Sequence, residues 1–224
     1  MERWLRERAA DLAYWDRRIG FWRDRARQHL IARELQGRLT REPGVRLERG
    51  LIWRVGDTGR LHLGEGACLR EGTELKVDGR LEIGPRSLIG AWNVLSVLDS
   101  LNIGADCLLA ERVSIRDHDH RFDDPSRPIA EQGYQVAPVT LGRNVWVGAN
   151  VVIMKGVTLG DGCIVGANAV VTRSYGPGTV LVGAPARPLH SVDTHVEPHG
   201  FAGQHPPTGC AGRPPVKGGQ LEED

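Results

Sequence analysis

The 224-residue chain is short of several things, and each shortage excludes something. Cysteine occurs only at Cys68, Cys107, Cys163 and Cys210, widely spaced and with no CxxC. Neither a zinc ribbon nor a disulfide scaffold is indicated, and a reducing cytoplasm is the expected compartment. Net charge is nearly absent: 29 Lys and Arg face 28 Asp and Glu, which leaves +1 and gives no reason to expect a nucleic-acid partner. No apolar run approaches the ~18 residues of a membrane span. The opening Met1-Glu2-Arg3-Trp4 lacks the apolar centre of a signal peptide. Aromatic residues are only 5% of the chain. Glycine, by contrast, supplies 29 of 224 residues, where a share of ~7% is usual. Glycine in excess without low complexity implies tight turns at regular intervals, which points to a repeat.

Three regions follow one another. Residues 1–44 form an amphipathic segment: residues 1–41 carry eleven Arg against six Asp and Glu, and Leu12, Trp15, Ile19, Trp22 and Ala26 share one helical face. A helix is predicted over about residues 3–36, ending near Gly37 and before Pro43. Its Trp face packs on the main domain or a neighbouring subunit, the favoured reading, or contacts a membrane surface peripherally. Residues 190–224 hold Pro198, Pro206, Pro207, Pro214 and Pro215 among six glycines, with few aliphatics. Such a segment buries too little apolar surface to offset its ordering entropy, so a disordered tail is expected.

The middle, 45–189, carries the repeat. Leu141, Val147, Ile153, Leu159, Val165 and Val171 fall six residues apart, and Val145, Val151, Val157, Cys163 and Ala169 follow four residues after successive anchors. The pattern runs earlier through Leu63, Leu69, Leu75, then Ile83, Ile89, Leu95, then Ile103, Leu109, Ile115, with a shift of eight between blocks. Three hexads return the chain to its start, one strand spacing (~4.8 Å) above the previous coil. Leu141 then lies under Leu159, Val147 under Val165 and Ile153 under Val171. The expected fold is an all-β solenoid, a parallel β-helix, with Cys107 and Cys163 as inert interior residues.

The repeat breaks once at length, between Ile115 and Leu141, and a loop over 117–138 is expected to protrude there. It opens on Asp117-His118-Asp119-His120. Imidazoles among carboxylates suit a general base oriented by a carboxylate, or metal ligation with His118 and His120 on one side of an extended segment, or simply a solvated loop. Chemistry alone leaves these three open.

The run from Leu141 to Arg173 and the ending Val182-Gly-Ala-Pro-Ala-Arg187 resemble the hexapeptide-repeat acyltransferases, above all the maltose/galactoside acetyltransferase branch. Within that branch, the Asp-His-Asp-His…Asp-Asp-Pro loop and Gln132-Gly133 are similar to the O-acetyltransferases of bacterial surface-polysaccharide synthesis. The resemblance implies a left-handed β-helix, a homotrimer, and acetyl-CoA bound between adjacent helices with no metal required. It implies that His118 is the catalytic general base, which deprotonates a sugar hydroxyl for direct attack on the thioester. Trp146 corresponds to a tryptophan lining the site, Ala149 and Ala167 to backbone contacts of the pantetheine arm, and Thr172 and Arg173 to the nucleotide end. Asn93 and His120 are candidate acceptor-binding residues. Asp117 or Asp119 orients His118, with Asp117 slightly favoured.

Other functions compete. A zinc lyase would need three histidines, and His62, His118 and His120 lack the expected spacing. A non-catalytic scaffold has no use for the histidine loop. N-acylation of an amino sugar would use the same base.

Overall fold

A computed structural model of the chain describes residues 37–189 continuously, preceded by Ala26, Leu30, Ile31, Arg33 and Leu35. Ala26, Leu30, Ile31 and Arg33 are helical, and the Leu35 amide donates to the Ile31 carbonyl at 2.8 Å. The remainder of the expected helix, including its Trp15 and Trp22 face, and the tail over 190–224 lie outside the described residues.

From Leu39 the chain winds as a parallel β-solenoid with three sheets for walls. The strands Leu39–Arg41, Arg60–Leu63, Arg80–Ile83, Ser100–Ile103, Val139–Leu141 and Thr158–Leu159 stack in the first sheet. The second sheet has eight strands and ends on the antiparallel pair Val180–Val182 and Arg187–Pro188. The third runs from Ile52–Val55 through Glu74–Val77, Val94–Val97, Ser114–Arg116 and Val152–Ile153 to Val170–Val171. The solenoid thus begins before residue 45, the boundary expected from the repeat.

Stacking follows the hexads. Leu141 pairs with Leu159, Val147 with Val165 and Ile153 with Val171, as the six-residue spacing predicts. The anchors Leu63, Leu69, Leu75, Ile83, Ile89, Leu95, Ile103, Leu109 and Ile115 are all buried to 0% exposure. Each such side chain contributes ~1.5–3 kcal/mol by leaving water. In the lower coils Leu61 pairs with Leu81 and Leu81 with Leu101. The two residues added to each hexad triplet there form the bends Asp78-Gly79 and Leu98-Asp99, between the third sheet and the first. Gly79 is required at that bend, because a Cβ on it would collide with the Asp99 carbonyl of the next coil.

The corner between the second and third sheets has its own rule. Gly50, Gly72, Trp92, Arg112, Asn150 and Asn168 occupy successive coils there, all with φ between 57° and 71°. Glycine and asparagine suit this left-handed conformation; bulky side chains do not.

The segment expected as a protruding loop is an antiparallel hairpin. Strands His118–His120 and Tyr134–Val136 pair with His118 opposite Val136 and His120 opposite Tyr134. Its far end is braced by Gln132, whose Nε2 donates to the Asp124 carbonyl at 2.8 Å and whose Oε1 accepts from the Asp124 amide at 3.0 Å.

Candidate active site

The hairpin leaves the solenoid directly after the third-sheet strand Ser114–Arg116, so its first residues stand at the corner between the third sheet and the first. Asp117 turns inward and is 1% exposed. A buried carboxylate costs several kcal/mol unless donors surround it, and three do. The Leu98 amide donates to Oδ1 at 2.9 Å and the Asp99 amide to Oδ2 at 2.7 Å, while His118 Nδ1 lies 2.8 Å from Oδ1. The two-residue insertion of the coil below therefore supplies the cradle that fixes Asp117. In the neutral tautomer that directs Nδ1–H at the carboxylate, the other ring nitrogen, Nε2, carries the lone pair.

The two aspartates differ in position. Asp119 Oδ2 pairs with Lys155 Nζ at 3.1 Å and takes no part in holding His118. Tyr134 stands edge-on to the His118 ring, with centroids 5.3 Å apart and an interplanar angle of 85°, and 4.6 Å from His120. His118 and His120 therefore share one side of their strand, and Tyr134 of the opposite strand touches both rings.

These groups border a cleft of about 370 Å³ that continues down the outer face of the third sheet. Lys76, Ser96 and Arg116 are stacked in register below His118 and line it, together with Asp78, Val94 and Leu98. Neither Tyr134 nor this file was singled out from the sequence. The signal for the file was available, since the twenty-residue coil places Lys76, Ser96 and Arg116 one above another.

Other expected site residues fall elsewhere. Asn93 is a correction: it is buried to 0% exposure inside the solenoid, where its Oδ1 accepts from the Val113 amide at 2.6 Å. Four residues after the anchor Ile89, it faces the interior as that position in the hexad dictates, and a ligand outside the coil cannot touch it. Trp146 is half exposed on the second sheet, between Leu108 and Ile164. Ala149 and Ala167 lie at the corner between the second and third sheets, and the Ala149 carbonyl accepts from the Asn168 amide at 2.9 Å. Thr172 and Arg173 stand at the same corner as His118, on higher coils, and Arg173 Nε donates to the Tyr175 hydroxyl at 3.0 Å. One chain thus groups His118, Asp117 and His120 but leaves Trp146, Ala149 and Ala167 beyond the far edge of the third sheet.

Three histidines do not converge. His62 faces Glu42 on the first sheet, with Nε2 3.4 Å from its carboxylate, away from His118 and His120. Among the described residues no three His, Cys, Asp or Glu form a group fit to hold a metal ion. No described helix is long and apolar enough to cross a membrane. Cys107 and Cys163 are buried, and burial pushes both thiols up from their ordinary range.

Comparison with known proteins bears on the family of the chain. Residues 138–173 match the family described as bacterial transferase hexapeptide (six repeats). A putative lipopolysaccharide biosynthesis O-acetyl transferase of Escherichia coli (strain K12) is 30% identical over 142 residues, 59% of this chain and 72% of that protein. A probable acetyltransferase of Mycobacterium tuberculosis is 32% identical over 110 residues, 49% of this chain; the match spans 37% of that relative's length. A solved hexapeptide-repeat containing acetyltransferase of Vibrio cholerae is 26% identical with a TM-score of 0.50, over 74% of this chain and 80% of that one. By its coils, its hexads and these relatives, the chain belongs to the hexapeptide-repeat acyltransferase family.

Proposed function

We propose that the protein is an acetyl-CoA-dependent O-acetyltransferase that acts on a sugar hydroxyl in glycan or surface-polysaccharide synthesis, with His118 as general base. The observation that carries this reading is the Asp117–His118 pair at the head of a cleft, with Asp117 fully buried and His118 Nδ1 2.8 Å from its carboxylate. Nε2 of His118 takes the acceptor proton as the hydroxyl oxygen attacks the thioester carbonyl. The C–S bond then breaks, and the imidazolium returns its proton to the departing sulfur. Asp117 holds the ring in one tautomer and offsets the charge that develops on it. His120 and Tyr134 flank the acceptor.

Acetyl-CoA is the cosubstrate in this reading. Arg173 is an exposed cation on the coils above His118, suited to phosphate. Trp146, Ala149 and Ala167 lie on another edge of the same coils, so a ligand touching them as well as His118 spans two copies of the chain. A homotrimer of left-handed coils, as the family resemblance implies, would provide that groove.

The test is acetyl-CoA turnover, followed by free-thiol release, with a panel of sugars and analysis of the product linkage. Sugar-dependent release with an alkali-labile ester is expected. An alkali-stable amide would move the assignment to N-acylation, and failure to bind acetyl-CoA at all would overturn it.

A further inference from the structure

Trp92 is the one aromatic residue at its corner. The equivalent positions are Gly50 and Gly72 on the coils below, Arg112 on the coil directly above, and Asn150 and Asn168 beyond it, whereas Trp92 has φ 61° and is 57% exposed. A bulky side chain in the left-handed region is an outlier, held there by the corner hydrogen bond from the Trp92 amide to the Glu71 carbonyl at 2.9 Å. Its ring lies flat over Gly72, where any Cβ would strike the six-membered ring. The indole is thereby laid along the solenoid surface with its other face open.

What it leads to decides its role. The strand Val94–Val97 starts two residues later, and Val94 is already a wall of the cleft that ends at His118. From Trp92 to Leu98 the path along this coil is ~20 Å at the rise of an extended strand. That length exceeds a single sugar ring. Beyond Val94 the floor offers side-chain donors and acceptors from the file Lys76, Ser96 and Arg116 and from Asp78, the chemistry that hydrogen-bonds hydroxyl groups.

We propose that Trp92 is a stacking platform for a sugar ring remote from the reacting one, so that the acceptor is an extended glycan chain lying across the third sheet and not a monosaccharide. This deepens the O-acetyltransferase reading and rests on it for the identity of the reacting end. The open indole face takes the apolar face of a pyranose, as exposed aromatic rings with a rigid backing do. Because the ring is fixed over Gly72, little side-chain freedom is lost when it is covered.

The test uses the full-length protein and linear α- and β-linked hexose oligosaccharides of one to six units. Binding is measured by calorimetry, independent of catalysis, and turnover by thiol release. In the wild type, affinity and kcat/KM should rise with chain length. Trp92→Ala should remove that rise, a loss of at least ~10-fold for the longest chains, while leaving the monosaccharide rate unchanged. Trp92→Phe should keep most of it. Trp92→Asn, the residue of the two uppermost coils at this corner, should match Trp92→Ala in binding and melt no lower than the wild type, which separates a binding role from a structural one.

Length-blind binding, no binding by any chain, an equal loss for monosaccharides, or dissociation of the assembly in Trp92→Ala would each overturn the platform. Length-blind binding with active turnover would remove the platform and keep His118 as base. Length-dependent binding lost in Trp92→Ala, without turnover by any variant, would keep the platform and remove the base.

Discussion

Asp117 accepts from two backbone amides and the His118 ring inside the coil, whereas Asp119 meets only Lys155 at the surface. Their substitutions should therefore separate. Asp117→Asn places an amide NH₂ against donors, which should lower turnover by ~10²-fold or more and stability by ~1–3 kcal/mol. Asp119→Asn removes a partly exposed ion pair and should cost less than ~1 kcal/mol, with turnover within a few-fold of wild type. Steady-state kinetics and urea titrations on the two variants check both statements. A second residue-scale expectation concerns Cys107 and Cys163: buried and with raised thiol pKa values, they should resist alkylation in the native protein and react after unfolding. Peptide mapping by mass spectrometry reads both sites. At this scale the sequence made His118 visible through its setting in a broken repeat. It favoured Asp117 over Asp119 only slightly, because the two surroundings differ through amides 19 and 18 residues away. It misplaced Asn93, although the hexad position already assigned that residue to the interior.

The hexad is the unit at the next scale, and its register was legible because a strict period of six leaves one way to stack. Leu141, Leu159 and their counterparts needed no tertiary information. The shift of eight between the lower blocks was also visible, but its use was not: those two added residues bring the Leu98 and Asp99 amides to Asp117. Nor was the hairpin, since Tyr134–Val136 has no alternation strong enough to mark a strand, and its pairing with His118–His120 is set by the closing of the excursion. The corners yield a direct stability test. A Cβ on Gly104 would meet the Gly142 carbonyl of the next coil, so Gly104→Ala should destabilise by ~1–3 kcal/mol through overpacking. Gly176, with nothing within 4 Å of an added Cβ, should accept alanine within ~0.5 kcal/mol. Thermal melts of the two variants would show the difference; equal losses would contradict the stacked-corner geometry.

The whole molecule distributes its candidate contacts over separate edges. His118 and Arg173 share one corner of the solenoid, while Ala149 and Ala167 occupy another, and Trp146 lies on the second sheet. If acetyl-CoA touches both sets, activity belongs to an assembly and not to one coil. Light scattering should then report three copies of the 24.6 kDa chain, and turnover should fall on dilution below the dissociation point. A fully active monomer would contradict that arrangement. The most direct test of the site as a whole is the turnover of His118→Ala beside wild type, with acetyl-CoA binding measured on the same samples. The buried-carboxylate pair predicts a fall of ~10²–10⁴-fold in kcat with coenzyme affinity and assembly unchanged. A variant that turns over acetyl-CoA at the wild-type rate would show that His118 is not the base.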